Sequence, residues 1–115
     1  MLQNHFELEQ HDSLVTIRAS AKEVSHDDLQ TAVDEAMQRQ RYDNAQNFIF
    51  DLEGVEFLAS ACIGVLVSFL QDVEHCRGRI ALVHCADDVA FLFKVTRLDD
   101  VFGLYDEIED AVAAL

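Results

Sequence analysis

Ser60 is the residue of this chain best placed to do chemistry. It follows the apolar run Phe48, Ile49, Phe50 and Leu52 and the turn at Gly54, and it stands where a helix begins. A serine hydroxyl there can cap free backbone N–H groups, a contribution of roughly 1 kcal/mol. It can also carry a phosphate, which would meet the positive end of the helix dipole. Cys62 lies near the same helix N-terminus, where a thiol of lowered pKa would act as a redox sensor. Its helical neighbours Ile63, Val65 and Phe69 favour a packed, inert thiol instead, and the nearby acids oppose a thiolate.

Other groups invite a metal. His75 with Cys76 and His84 with Cys85 are zinc-type ligands, but they flank a predicted strand, Arg79 to Val83. At about 3.3 Å per residue the two pairs stand roughly 15 Å apart, too far to share one ion. Asp51, Glu53 and Glu56 near a strand end are the type of cluster that binds magnesium or performs acid–base work. Solvated turn charges are the simpler account, because the chain has no glycine-rich phosphate loop and no assembled nucleophile, base and orienter. His5, His11 and His26 are isolated. No cofactor, metal or catalytic residue is expected, and the chain reads as a non-enzyme.

The elements that must position Ser60 follow from periodicity. Phe6 and Leu8 alternate with Glu7 and Glu9, and after a polar turn Val15 and Ile17 share one face, which predicts a strand pair. Ser25 and Asp28 resemble a capping box before a helix with Leu29, Ala32, Val33, Ala36 and Met37 at helical spacing. Phe48 to Leu52 predicts a central strand covered on both faces. The helix from Ser60 to about His75 is expected to bury Ile63, Leu66, Val67, Leu70 and Val73, leaving a second apolar stripe, Cys62, Val65 and Phe69, facing outward. Such an outward stripe would invite a partner, and pairing with a second copy is compatible with it. Ile80 to Val83 predicts a buried strand, Asp87 or Asp88 a cap for a helix with Val89, Leu92, Phe93 and Thr96, and Val101 to Tyr105 a last strand. The closing helix has Ile108, Val112 and Leu115 on one side. The order ββαβαβαβα implies an α/β domain with a mixed sheet of four to five strands and about four helices.

Composition narrows the functional classes. With 115 residues, half of them apolar, residues 1–115 are expected to form one domain around one core. The net charge of −14 with only 8 Lys and Arg disfavours nucleic acid and acidic lipid surfaces. No window is apolar enough to span a membrane, and the first residues carry acids where a signal peptide carries bases, so a cytoplasmic chain without membrane insertion is expected. The three cysteines form no framework of close pairs and read as reduced thiols.

The segment from Asn47 to Leu70, NFIFDLEGVEFLASACIGVLVSFL, resembles the signature of STAS domains, the sulphate-transporter and anti-sigma-factor-antagonist family. In that family a strand and turn lead to a loop reading phenylalanine, aliphatic, Asp-Ser-Ser-Gly, aliphatic, Gly; here the loop runs from Phe57 to Gly64. The predicted element order and the ending RLDDVFGLYDEIEDAVAAL also resemble the family, so the likeness extends from Phe6 to Leu115. The turn SAKEVS departs from the family's Gly-Glu-Leu-Asp type. The resemblance implies a regulatory module like the bacterial anti-sigma-factor antagonists. It would bind an anti-sigma factor or serine kinase through Ala59, Ser60, Ala61, Cys62, Val65 and Phe69. Ser60 would be the phosphorylated serine, and a serine phosphatase would reverse the mark. Ala59, Ala61 and Cys62 stand where the family has an acid, a second serine and a glycine. These departures fit an alternative, an unphosphorylated STAS subunit of a lipid-transport ATPase or a signalling scaffold.

Overall fold

A computed structural model describes residues 6–115. Five strands build the main sheet: β1 (Phe6–His11), β2 (Leu14–Ala19), β4 (Asn47–Asp51), β6 (Ile80–Val83) and β7 (Gly103–Tyr105), in the order β1-β2-β4-β6-β7. Two further strands, β3 (Glu23–Val24) and β5 (Phe57–Leu58), pair with each other in parallel. The helices are α1 (His26–Tyr42), α2 (Ala61–His75), α3 (Asp87–Val95) and α4 (Ile108–Ala114). Among the described residues only β1 and β2 pair antiparallel; each later neighbour is parallel, as the alternation of strand and helix requires. The expected mixed sheet and four helices are therefore present, while the β3–β5 pair is not readable in SAKEVS.

Alternation along the strands assigns the two faces. Val15, Ile17, Phe48, Phe50, Ile80 and Leu82 point to one side, where Leu29, Val33 and Ala36 of α1, Phe69 of α2, and Val89 and Phe93 of α3 join one core. On the other side Ile49, Ala81 and Val83 pack against Ala111, with Ile108 and Leu115 at the margin. Val112, expected on the packed side of α4, is exposed; Ala111 takes its place, being one turn from Ile108 and Leu115.

The largest correction concerns α2. Cys62, Val65 and Phe69 are 0%, 6% and 1% exposed, so the stripe expected to face outward is the core stripe. Leu66, Leu70 and Val73 are buried beside it, whereas Ile63 and Val67 are only half-buried. The two candidate stripes overlap on the helical wheel, and the strand beneath chooses between them. Phe69 fits edge-on against Phe48 and Phe50, with ring centroids 5.0 and 5.9 Å apart, a contact Val67 has no ring to make.

Smaller differences lie at the ends of elements. Ser25 does cap α1 as expected, accepting the Asp28 N–H at 3.2 Å. Ala86, not Asp87 or Asp88, precedes α3, and those acids occupy the first turn, where the dipole favours them. The last strand starts at Gly103 rather than Val101; a short 3₁₀ turn, Leu98–Asp100, precedes it, and the Phe102 ring meets that of Phe93 with centroids 5.7 Å apart.

Candidate functional site

The carboxyl ends of β2, β4 and β6 converge on Asp51. Its carboxylate is buried, with Oδ2 3.3 Å from Arg18 Nε and Oδ1 2.9 Å from His84 Nδ1; Oδ1 also accepts the Glu53 N–H at 3.1 Å. His84 Nε2 then reaches Glu107 Oε2 at 3.2 Å, at the entry to α4. Burial alone would raise the Asp51 pKa, but the hydrogen bonds from His84, Glu53 and Arg18 outweigh it and hold the carboxyl below its usual range. The hydrogen bonds to Asp51 and Glu107 raise His84. Asp51 is thus not a solvated turn charge, and with both oxygens engaged it is not presented to a metal.

This brace fixes the turn that delivers Ser60. Gly54 adopts φ 86°, a left-handed conformation that costs glycine nothing, and Val55 N–H closes the turn on Leu52 at 3.0 Å. The chain then runs along β3, with Glu56 and Phe57 donating to the Lys22 carbonyl at 2.7 and 3.1 Å and Ala59 to that of Val24 at 3.4 Å.

Ser60 emerges from this pairing exposed. Its backbone is already helical, φ −61° and ψ −27°, and its hydroxyl makes no capping hydrogen bond, contrary to the expected cap. A capping side chain needs extended backbone, and here the Ala59 and Ser60 carbonyls take the Cys62 and Ile63 N–H groups at 2.9 and 3.1 Å instead. Ala61 is exposed and Ala59 half-buried. At helical spacing Ser60 continues into Gly64, Val67 and Gln71, which form the outward row of α2. From Asn47 to His75 the chain has no Lys or Arg, so acids set the local field.

Cys62 does not belong to that surface. Its thiol points at the Val24 carbonyl, 3.5 Å away, and burial raises its pKa, which removes the redox-sensor reading. His75 and Cys76 close α2 before β6, while His84 and Cys85 follow β6; burial pushes the Cys85 thiol up to about 11. His84 turns to carboxylates rather than to a cysteine.

The structure leaves Ser60 exposed and buries Cys62, Val65 and Phe69, which were expected to face outward; Arg18 and Glu107 were not singled out in the sequence, and His84 was weighed there only as a zinc ligand. Asp51 ending an apolar strand was the available signal. Its partners arrive through strand register, which sets Arg18 opposite Asp51.

Solved structures share this architecture. An anti-sigma factor antagonist from Mycobacterium paratuberculosis matches with a TM-score of 0.80 and 24% identity over 95% of this chain and 91% of its own. An anti-sigma-factor antagonist (STAS) domain protein from Planctomyces limnophilus gives 0.79 and 20% over 98% of each chain. The phosphorylated form of the Bacillus cell fate determinant SpoIIAA gives 0.75 and 19% over 95% and 97%. The family model for the STAS domain matches residues 5–111, and with the strand order and the strand–turn–helix at Ser60 it places this chain in the STAS domain family.

Proposed function

We propose that this chain is a non-enzymatic regulatory interaction module that binds an anti-sigma factor or serine kinase through the Ser60 loop and the outward row of α2. Phosphorylation of Ser60 is its switch. The observation that carries this reading is the state of Ser60: exposed, not engaged in capping, and at the head of a row in which half-buried Ile63 and Val67 offer apolar contact. A phosphoserine adds about −1.5 to −2 charge. In a segment with no Lys or Arg, and beside apolar side chains that a partner must desolvate, that charge opposes docking. The fold does not depend on the hydroxyl, so the modification changes the surface and leaves the domain intact. SpoIIAA, an anti-sigma factor antagonist solved both with and without phosphate, has the same fold. A kinase would supply the phosphate, a serine phosphatase would remove it, and the reduced thiols suit a cytoplasmic setting. No described helix is long and apolar enough to cross a membrane.

Ala59, Ser60, Ala61, Gly64, Ile63 and Val67 form the contact surface in this reading; Cys62, Val65 and Phe69 support it from beneath. The test compares Ser60→Asp with Ser60→Ala against the partner recovered from native lysate. Weakened binding by Ser60→Asp alone supports the switch, and equal affinity of both variants and the wild type contradicts it. The second reading, a STAS subunit that is never phosphorylated, draws on Ala59, Ala61 and Cys62. Intact-mass analysis of protein from its native cells under several growth conditions separates the two.

A further inference from the structure

A second apolar surface lies beside the Ser60 loop. Between β5 and α3 runs a groove of about 380 Å³, lined by Phe57, Leu58, Val89, Phe91, Leu92 and Val95 with Glu56 and Asp88 at its rim. Phe57, Phe91 and Val95 are 59%, 63% and 58% exposed. In α3 the core takes Val89 and Phe93, so Phe91 and Val95, one turn apart, are not needed to hold the fold. Two exposed aromatic rings facing one groove form the kind of patch that marks a binding site rather than scattered surface apolarity.

The charge around the groove says what covers it. Its rim acids continue into Asp87, the chain from Asn47 to His75 has no Lys or Arg, and the cations nearby are fewer than the acids: Lys94 is the only basic residue of α3, and Lys22 lies beside Glu56 and Phe57, which donate to its carbonyl. With a net charge of −14, the field opposes a second copy of this chain, an anionic lipid surface or a nucleic acid. A polypeptide with apolar anchors and cationic flanks is complementary on both counts.

We propose that the groove between β5 and α3 anchors an amphipathic partner segment whose apolar side chains enter between Phe57 and Phe91 and whose Lys or Arg residues meet Glu56, Asp87 and Asp88. This goes beyond the phosphate-sensing surface. Phe57 and Ser60 belong to one short stretch, at most about 11 Å apart along the chain, so one partner can reach both. The groove is the constant anchor and the Ser60 row the part that phosphate closes.

The test uses isotope-labelled protein and three synthetic peptides: an amphipathic Leu/Lys peptide with Leu at i and i+4, a Leu/Glu peptide of the same pattern, and a Ser/Lys peptide without apolar residues. Amide shifts are followed by NMR. The Leu/Lys peptide is expected to shift Phe57, Leu58, Phe91, Leu92 and Val95 and to bind about tenfold more tightly than either control. Phe91→Asp, at an exposed position, is expected to keep a native spectrum and lose about tenfold in affinity, while Ser60→Asp leaves affinity within about twofold. Equal binding of the Leu/Lys and Leu/Glu peptides, equal binding of the Leu/Lys and Ser/Lys peptides, shifts confined to other residues, or groove shifts that grow with protein concentration in the absence of peptide would each overturn the proposal. Because the peptides bypass the Ser60 row, failure here leaves the phosphorylation switch standing, and failure of the switch leaves the groove standing.

Discussion

Asp51 Oδ1 lies 2.9 Å from His84 Nδ1, and the opposite ring nitrogen of His84 lies 3.2 Å from Glu107 Oε2. With a carboxylate at each nitrogen, both hydrogen bonds form only when the imidazole has both protons. The protonated ring ties the end of β4 to the segment after β6 and to the entry of α4, and so holds the frame from which the Ser60 loop departs.

A pH dependence follows. The folded pKa of His84 is raised above 6.5, so its contribution to stability is complete below that value and is lost as pH rises through the folded pKa. Asp51 is lowered below 3.8, so its contribution is complete above that value and is lost as pH falls through the folded pKa. Stability is expected to be greatest between these limits. Urea unfolding of wild type and His84→Gln at about pH 5 and about pH 8.5 checks this: the difference between the two proteins should shrink at the higher pH. The comparison with the variant removes the general repulsion of an acidic chain, which also grows with pH.

Asp51→Asn keeps the shape of the side chain and removes the charge that Arg18 and His84 face. Arg18 is half exposed and can regain water, which moderates the cost to about 2 kcal/mol. Denaturant unfolding measures this, and a loss near zero would show that the brace adds nothing to stability.

Substitutions on α2 separate binding from folding. Phe69→Ala removes a ring packed on Phe48 and Phe50 and should cost about 3–5 kcal/mol. Val67→Asp, on the half-exposed side, should leave the melting temperature nearly unchanged and weaken partner binding. Calorimetric melting paired with a binding assay distinguishes them; the reverse pattern would mean the helix faces the other way.

Thiol reactivity orders the cysteines. Cys76 is exposed, while burial raises the thiols of Cys62 and Cys85, the latter to about 11. A thiol-reactive reagent at neutral pH should modify Cys76 first and Cys62 only on unfolding, read by peptide mass. Early labelling of Cys62 would contradict its burial.

The fold was legible in the sequence because each element has its own periodicity: alternation in β1 and β2, an unbroken apolar run in β4, helical spacing from Leu29 to Met37. The orientation of α2 was not, because too many of its positions are apolar for one stripe to stand out. Only the rings of Phe48 and Phe50 beneath it decide that Phe69 turns inward and Val67 outward. Likewise Ser60 is marked by its place before a helix, whereas the Arg18–Asp51–His84–Glu107 chain joins residues far apart in sequence through strand register, which no local pattern encodes.

In the proposed function a phosphate on Ser60 controls access to a protein-binding surface. The most direct test is titration calorimetry of the partner recovered from native lysate against the chain with phosphoserine installed at position 60 and against the unmodified chain. The phosphate is expected to weaken affinity about tenfold or more while the melting temperature stays unchanged. Equal affinity for the two forms would contradict it.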